Sequence, residues 1–217
     1  MVSERAAVIV DIVDSKKLDD RPAAQAAIEA AFAGVDELIA HDAPSSGTEP
    51  LVATVGDEFQ AVYPTLGSAL EATLAARLAL PEGIDCRFGI GWGELREVGR
   101  GTRGAVQDGS AWWLARAAIE EAHDREDSRT PTLRSWFATD GDARLASAVN
   151  AYLLTRDHLV SAMSPRARRL TYGTMRGRLQ AELADAEGIS QGAVSQSLRR
   201  SGGMSVLTAT AALKAAL

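Results

Sequence analysis

Apolar positions along the first hundred residues switch between two periods, and the switches mark the elements. Residues 6–13, AAVIVDIV, form a continuous β-branched run closed by Asp14-Ser15, the pattern of a buried strand. After Pro22 the stretch AAQAAIEAAFAGVDELIAH carries apolar residues at helical spacing among strong helix formers. The turn-rich HDAPSSGTEP, 41–50, separates it from LVATV (51–55) and EFQAVY (58–63), two strands joined at Gly56-Asp57 as a hairpin. A second helix is predicted over 66–79 between Pro64 and Pro81, and DCRFGIGW (85–92) is a further strand. The order strand, helix, hairpin, helix, strand predicts an α+β fold of the ferredoxin-like or palm type, βαββαβ, with helices on one face of an antiparallel sheet.

The pattern then changes. GELREVGRGTRG (93–104) reads as a loop or loose hairpin, 110–123 as a helix, DREDSRTP (124–131) as a linker and LRSWFAT as a short strand. A helix over 142–161 leads out of this first domain. We therefore expect a domain over 1–141, a connecting helix over 142–163 and an all-α domain over 164–217. In the last of these, Ser164-Pro165 is a helix start, and a helix through RARRLTYGTM runs to Gly177. Leu179, Leu183 and Ala184 put an apolar stripe on the next helix, Gly188 supplies a tight turn, and Ile189 plugs the core. Ser190 caps a further helix whose buried face is Val194 and Leu198. These offsets are those of a helix-turn-helix. Its outer face carries Gln191, Gly192, Ser195, Gln196, Arg199 and Arg200: amides for base edges, a hydroxyl for bases or phosphates, and guanidiniums for phosphates. A plain helical hairpin used for dimerisation is the simpler alternative. The Ala/Leu-rich 204–217 reads as packing or dimerising surface.

Charge sharpens this division. The net charge is −6, but residues 161–217 hold eight basic and three acidic residues, a balance of +5, against −11 for the first 160. Of 217 residues 46% are hydrophobic and 24% charged, an ordinary globular composition. The lone Cys86 excludes a disulfide framework and a thiolate zinc cluster, and reads as an inert core residue. His41, His123 and His158 lack ligand spacing. Without a signal-peptide pattern or a long apolar run, the expectation is a cytoplasmic protein with no membrane contact.

Chemistry concentrates in the first domain. Asp11 ends the first strand, and Asp57 occupies a hairpin tip that βαββαβ topology sets beside it. Two carboxylates converging at strand ends suit a divalent cation and phosphoryl groups, because hard cations want oxygen ligands. Asp14 and Glu58 lie nearby in sequence, and strand alternation points Glu58 away from Asp57 unless the turn places both at the tip. Ser15, Lys16 and Lys17 follow the strand at an expected helix start, where backbone N–H groups favour phosphate. The plainer alternative makes Asp11 a turn cap and Gly56-Asp57 an ordinary hairpin signal. Gly89, Gly91 and Gly93 alternate on a strand, which suits either a nucleotide on the sheet or a closely packed helix.

The strings VDIVDSKKL, TVGDEFQAVY and RFGIGWGEL resemble the strand motifs of class III nucleotide cyclases and, more distantly, of GGDEF diguanylate cyclases. That resemblance implies Mg or Mn held by Asp11, Asp57 and the Ile12 carbonyl around a nucleoside triphosphate. Together with DGSAWWLARAAIEEA (108–122) and a terminal SQGAVSQSLRRS, these motifs resemble the SatD family over nearly the whole chain. The resemblance implies architecture more than activity. On the cyclase pattern Trp112 stands where a transition-state Asn would be and Arg116 keeps the catalytic Arg position, a departure that weakens the cyclase reading. The nucleotide-binding candidates are Asp14, Ser15, Lys16, Asp108 and Trp112. The function expected is a DNA-binding, transcriptional regulator, a homodimer on duplex DNA, whose cyclase-like domain binds a nucleotide and a divalent metal. The alternative is a Mg- or Mn-dependent nucleotide cyclase or nucleotidyltransferase with a regulatory helix-turn-helix.

Overall fold

The run that opens the chain is the centre of the sheet. In a computed structural model, which describes residues 3–15, 18, 20–42, 48–54, 58–101, 104–128 and 130–217, β1 (Ser3–Ile12) lies between β3 (Phe59–Tyr63) and β4 (Cys86–Gly101), antiparallel to both. β2 (Glu49–Ala53) flanks β3, and β5 (Gly104–Asp108) pairs with the far half of β4. β6 (Ser135–Thr139) runs parallel to the near half of β4, so the sheet is mixed rather than wholly antiparallel. The Gly-rich stretch after Trp92 is thus a hairpin extending β4 into β5. The Gly56-Asp57 hairpin tip lies outside the described residues, and the flanking Thr54 N–H donates to the Glu58 carbonyl at 2.9 Å.

Alternation of side chains divides the strands between two layers. Ala6, Val8 and Val10, with Phe59, Ala61 and Tyr63, face α1 (Arg21–Asp42) and α2 (Leu66–Ala79). Ala7, Ile9 and Val62 face α3 (Ser110–Ser128) on the opposite side. So α1 and α2 share one face as expected, and α3 covers the other. α3 also runs through most of the expected linker, to Ser128. Gly89 and Gly91 explain how close it sits. A Cβ on Gly91 would stand 2.2 Å from the Ala111 carbonyl oxygen, and one on Gly89 2.2 Å from that of Ala115, so only glycine admits the helix backbone there. The closely packed helix, not a nucleotide, accounts for the alternating glycines.

α4 (Ala143–Ala162), capped by Asp142, does more than connect: Val149 and Leu153 belong to the main core. Beyond it come α5 (Pro165–Met175), α6 (Gln180–Glu187), α7 (Gln191–Arg200) and α8 (Gly203–Ala216). Leu170, Leu183, Ala184, Val194 and Leu198 close a small core of their own, with Ile189 against it. Leu179, expected on that stripe, is 66% exposed, since it sits at the α6 N-cap rather than on its inner face. Val160, Met163, Ala167 and Val206 pack on Leu74 and Leu78, so the outer side of α2 is covered by the C-terminal helices. Twelve of the fourteen α2 residues are buried, which makes it an interior helix between two layers. Cys86 is buried in the main core, and burial pushes its thiol well above the usual range. Among the described residues no helix is long and apolar enough to cross a membrane.

Candidate functional site

Where the apolar runs of β3, β1 and β4 end, the α3 face of the sheet becomes charged. Asp11 stands opposite Arg87 in the β1–β4 register. The β1–β3 register, continued one residue past Val10–Phe59, sets Asp11 beside Glu58. Arg116 reaches down from α3 to Glu58, with N–O distances of 2.6 and 2.9 Å, and Gln60 Nε2 donates to the same carboxylate at 2.8 Å. The hydrogen bond to Glu58 raises the Arg116 guanidinium above its ordinary pKa, and the Glu120 and Asp11 carboxylates add to this. Arg87 lies 3.6 Å from Asp11 and donates to Glu126 at 2.5 Å.

From there an unbroken series of ion pairs leads into the molecule. Glu126 meets Arg134 at 3.0 Å, Arg134 meets Asp85 at 2.6 Å, and Asp85 meets Arg77 at 3.9 Å. Arg77 then pairs with Asp157 at 2.8 Å, which also accepts from Arg156 Nε at 3.1 Å and from the Arg134 amide at 2.8 Å. Arg77, Arg156 and Asp157 are 2%, 1% and 0% exposed, so this end of the series is fully desolvated. Burial lowers the Arg77 pKa, and Asp157 and Asp85 oppose that shift. Sequence reasoning singled out none of these residues except Asp11. The available signal was Arg77 alone inside the Ala/Leu-rich α2: a base at such a position has to find an acid.

The other candidates fall in separate places. Ser15 Oγ accepts from Arg21 Nη2 at 3.4 Å, but α1 begins only at Arg21, with Asp20 Oδ1 accepting from the Ala23 amide. Ser15 itself stands in a 3₁₀ turn, the Leu18 amide donating to its carbonyl at 3.5 Å, directly after Asp14 in a left-handed conformation, φ 54°. Lys16 and Asp57 lie outside the described residues. Asp108 ends β5 and pairs with Arg96 at 3.0 Å across the β4–β5 hairpin. Trp112 packs half-buried against Ala7, Ile9, Val62 and Leu95, while Trp113 is 70% exposed. The Ile12 side chain is buried in the core on the α1 side.

The chemistry open to the Asp11 end follows from its donors. A half-exposed carboxylate beside two guanidiniums suits anions and hard cations alike. Among the described residues, however, no three His, Cys, Asp or Glu groups gather to hold a metal ion. α3 lies directly on the sheet at Gly89 and Gly91, so any ligand approaches at the strand ends and not across the sheet face.

At the other end of the chain, α6 stops at Gly188, left-handed with φ 64°, and Ser190 Oγ accepts from the Ala193 amide to open α7. Val194 and Leu198 turn inward; Gln191, Gly192, Gln196, Arg199 and Arg200 are exposed and Ser195 is half-buried.

Solved structures similar to the chain include the catalytic core of a rhodopsin-guanylyl cyclase with converted specificity, in complex with ATPalphaS. The identity is 17% and the TM-score 0.39, over 53% of this chain and 72% of that one, a likeness too slight to carry an argument about the site. No curated protein matches. The sequence model of the SatD family matches residues 5–213, and with so nearly the whole length covered, the chain belongs to the SatD family.

Proposed function

We propose that this protein is a DNA-binding, transcriptional regulator whose residues 164–217 are the DNA-contacting unit. The observation that carries the reading is α7: a short helix with two buried apolar residues, a capped N-terminus behind a left-handed glycine turn, and an outer face of amides and arginines. Such a helix enters a major groove with its N-terminal residues on base edges and its terminal bases on phosphates. Gln191 and Gln196 would read bases, Gly192 would let the duplex approach closely, Ser195 would bond a base or phosphate, and Arg199 and Arg200 would hold the backbone. A homodimer would set two such helices on successive half-sites.

In this reading the Asp11 end of the sheet senses a nucleotide with Mg or Mn. Asp11, the Ile12 carbonyl and Asp57 would hold the cation, which supplies charge neutralisation for phosphate groups. Arg116, half-exposed above Glu58, would exchange that partner for phosphate, and its position is what favours the second reading, a nucleotide cyclase or nucleotidyltransferase.

Fluorescence anisotropy with duplex DNA across a salt series tests the proposal. Wild type should bind with a log–log salt slope that falls by about 2 in Arg199→Ala/Arg200→Ala, one counterion per lost phosphate contact. No salt-dependent binding would overturn it. A thermal-shift panel of nucleoside triphosphates with Mg²⁺ tests the sensor: a ligand at about 100 times its Kd stabilises by about 2.7 kcal/mol, and Asp11→Asn should abolish that shift.

A further inference from the structure

A cleft lies far along the chain from Asp11, between the C-terminal end of α2 with the loop after it and the inner side of α5 and α6. Its volume is about 780 Å³, within the roughly 300–1,000 Å³ range of small-molecule sites. Leu78, Leu80, Met163 and Leu183, all nearly inaccessible to solvent, form an apolar wall. Four arginines share the lining: Arg168, Arg169, Arg176 and Arg178.

These guanidiniums are not equally committed. Arg169 is held by Glu187 through two bonds of 2.7 Å. Arg176 lies over the Tyr172 ring and 3.5 Å from Glu37, and Arg178 reaches the Glu182 carbonyl at 3.4 Å. Arg168 differs. Its Nε is buried without a hydrogen-bond acceptor, and among the described residues no carboxylate pairs with it. The only acids in the lining are Glu187, engaged by Arg166 and Arg169, and Glu82. In a chain of net charge −6, this cleft therefore holds two more guanidiniums than carboxylates. A buried N–H without an acceptor is costly, and an anionic oxygen would satisfy it.

We propose that this cleft is a binding site for a small amphipathic anion: a carboxylate or phosphate head met by Arg168, with an apolar body along Leu78, Leu80, Met163 and Leu183. The four arginines exclude a neutral hydrocarbon as the preferred occupant, and the apolar wall excludes a bare inorganic ion. The bound molecule would bridge α2 to α5 and α6, so its affinity reports on that junction whether or not the protein binds DNA.

Isothermal titration calorimetry on the full chain tests this with three probes of one chain length: octanoate, octyl phosphate and octan-1-ol. One octanoate or octyl phosphate per chain should bind saturably, the tighter of the two identifying the head group, with octan-1-ol at least tenfold weaker. Arg168→Gln should weaken the anion at least tenfold. Ala186→Trp, which fills the cleft without changing charge, should abolish binding, and circular dichroism establishes that both variants are folded. Saturable binding of octan-1-ol as tight as the anions, undiminished anion affinity in either folded variant, or no saturable heat with any probe would overturn the proposal.

Discussion

Replacing Asp157 by alanine should be among the most damaging single changes in this protein. The carboxylate is fully buried and accepts from Arg77 Nη1 at 2.8 Å, Arg156 Nε at 3.1 Å and the Arg134 amide at 2.8 Å. Alanine leaves two interior guanidiniums without the buried carboxylate they share. Arg77 retains a longer contact to Asp85, at 3.9 Å, with two neutral acceptors, the residue-157 carbonyl at 3.3 Å and Ser161 Oγ at 3.0 Å, and Arg156 retains the neutral acceptors Leu70, Thr73 and Ser135. Breaking a buried pair in this way costs about 3–5 kcal/mol. For a domain of this size that is a melting point lower by about 10 °C, or a urea midpoint lower by well over ~1 M at an m-value of ~1–3 kcal/mol/M. Urea titrations followed by circular dichroism, with m unchanged, measure it directly. Removing all three charges together, in Arg77→Met/Arg156→Met/Asp157→Leu, should recover most of the loss, because the desolvation penalty disappears with the ions. A loss under about 1 kcal/mol in Asp157→Ala, or a triple variant no better than the single one, would refute the argument.

Three further outcomes are expected. Burial raises the Asp36 carboxyl from 3.8 to about 6, against a weaker opposing hydrogen bond from the Leu51 amide, so its charge opposes folding above pH 6 and costs nothing below pH 3.8. Asp36→Asn should therefore stabilise the protein at pH 7.5 by about 1 kcal/mol after solvent screening, and the gain should vanish at pH 3.5 in paired denaturation curves. Gly91→Ala should cost at least about 2 kcal/mol, because the new methyl meets the α3 backbone, whereas Gly99→Ala, with nothing near its Cβ position, should be close to neutral in the same assay. Gly188→Ala, at φ 64°, should destabilise by about 1 kcal/mol through left-handed strain alone, with Gly192→Ala as a helical control.

The elements were legible in the sequence where local pattern decides them. The apolar run of β1, the helix formers of α1 and α2, and the Gly188-to-Ser190 turn are recovered within a few residues, since strand alternation and cap chemistry act over short distances. What was not legible depends on the partner across space. The glycine alternation in β4 allowed two explanations, and only the position of α3 selects between them. Asp11 and Arg116 were singled out, yet their actual neighbours, Arg87 and Glu58, come from register, which a single sequence leaves open. Ser15 opens only a 3₁₀ turn, behind the left-handed Asp14, and the long helix α1 begins at Arg21, a distinction that local pattern does not carry. The cleft beside Arg168 escaped notice for the same reason, its walls being about 80–100 residues apart in the chain.

The burial of α2 on both sides has a consequence for how the protein is made. Leu74 and Leu78 belong to a helix that is synthesised early, but their contacts, Val160, Met163, Ala167 and Val206, come much later. Lys214 of α8 also reaches back to Glu71 at 2.5 Å. During translation the chain up to β6 can assemble its sheet while one flank of α2 remains sticky and exposed. That intermediate is a natural client for a chaperone and a nucleus for aggregation. Fragments cut between α4 and α5 should accordingly be poorly soluble apart and should reassemble when expressed together.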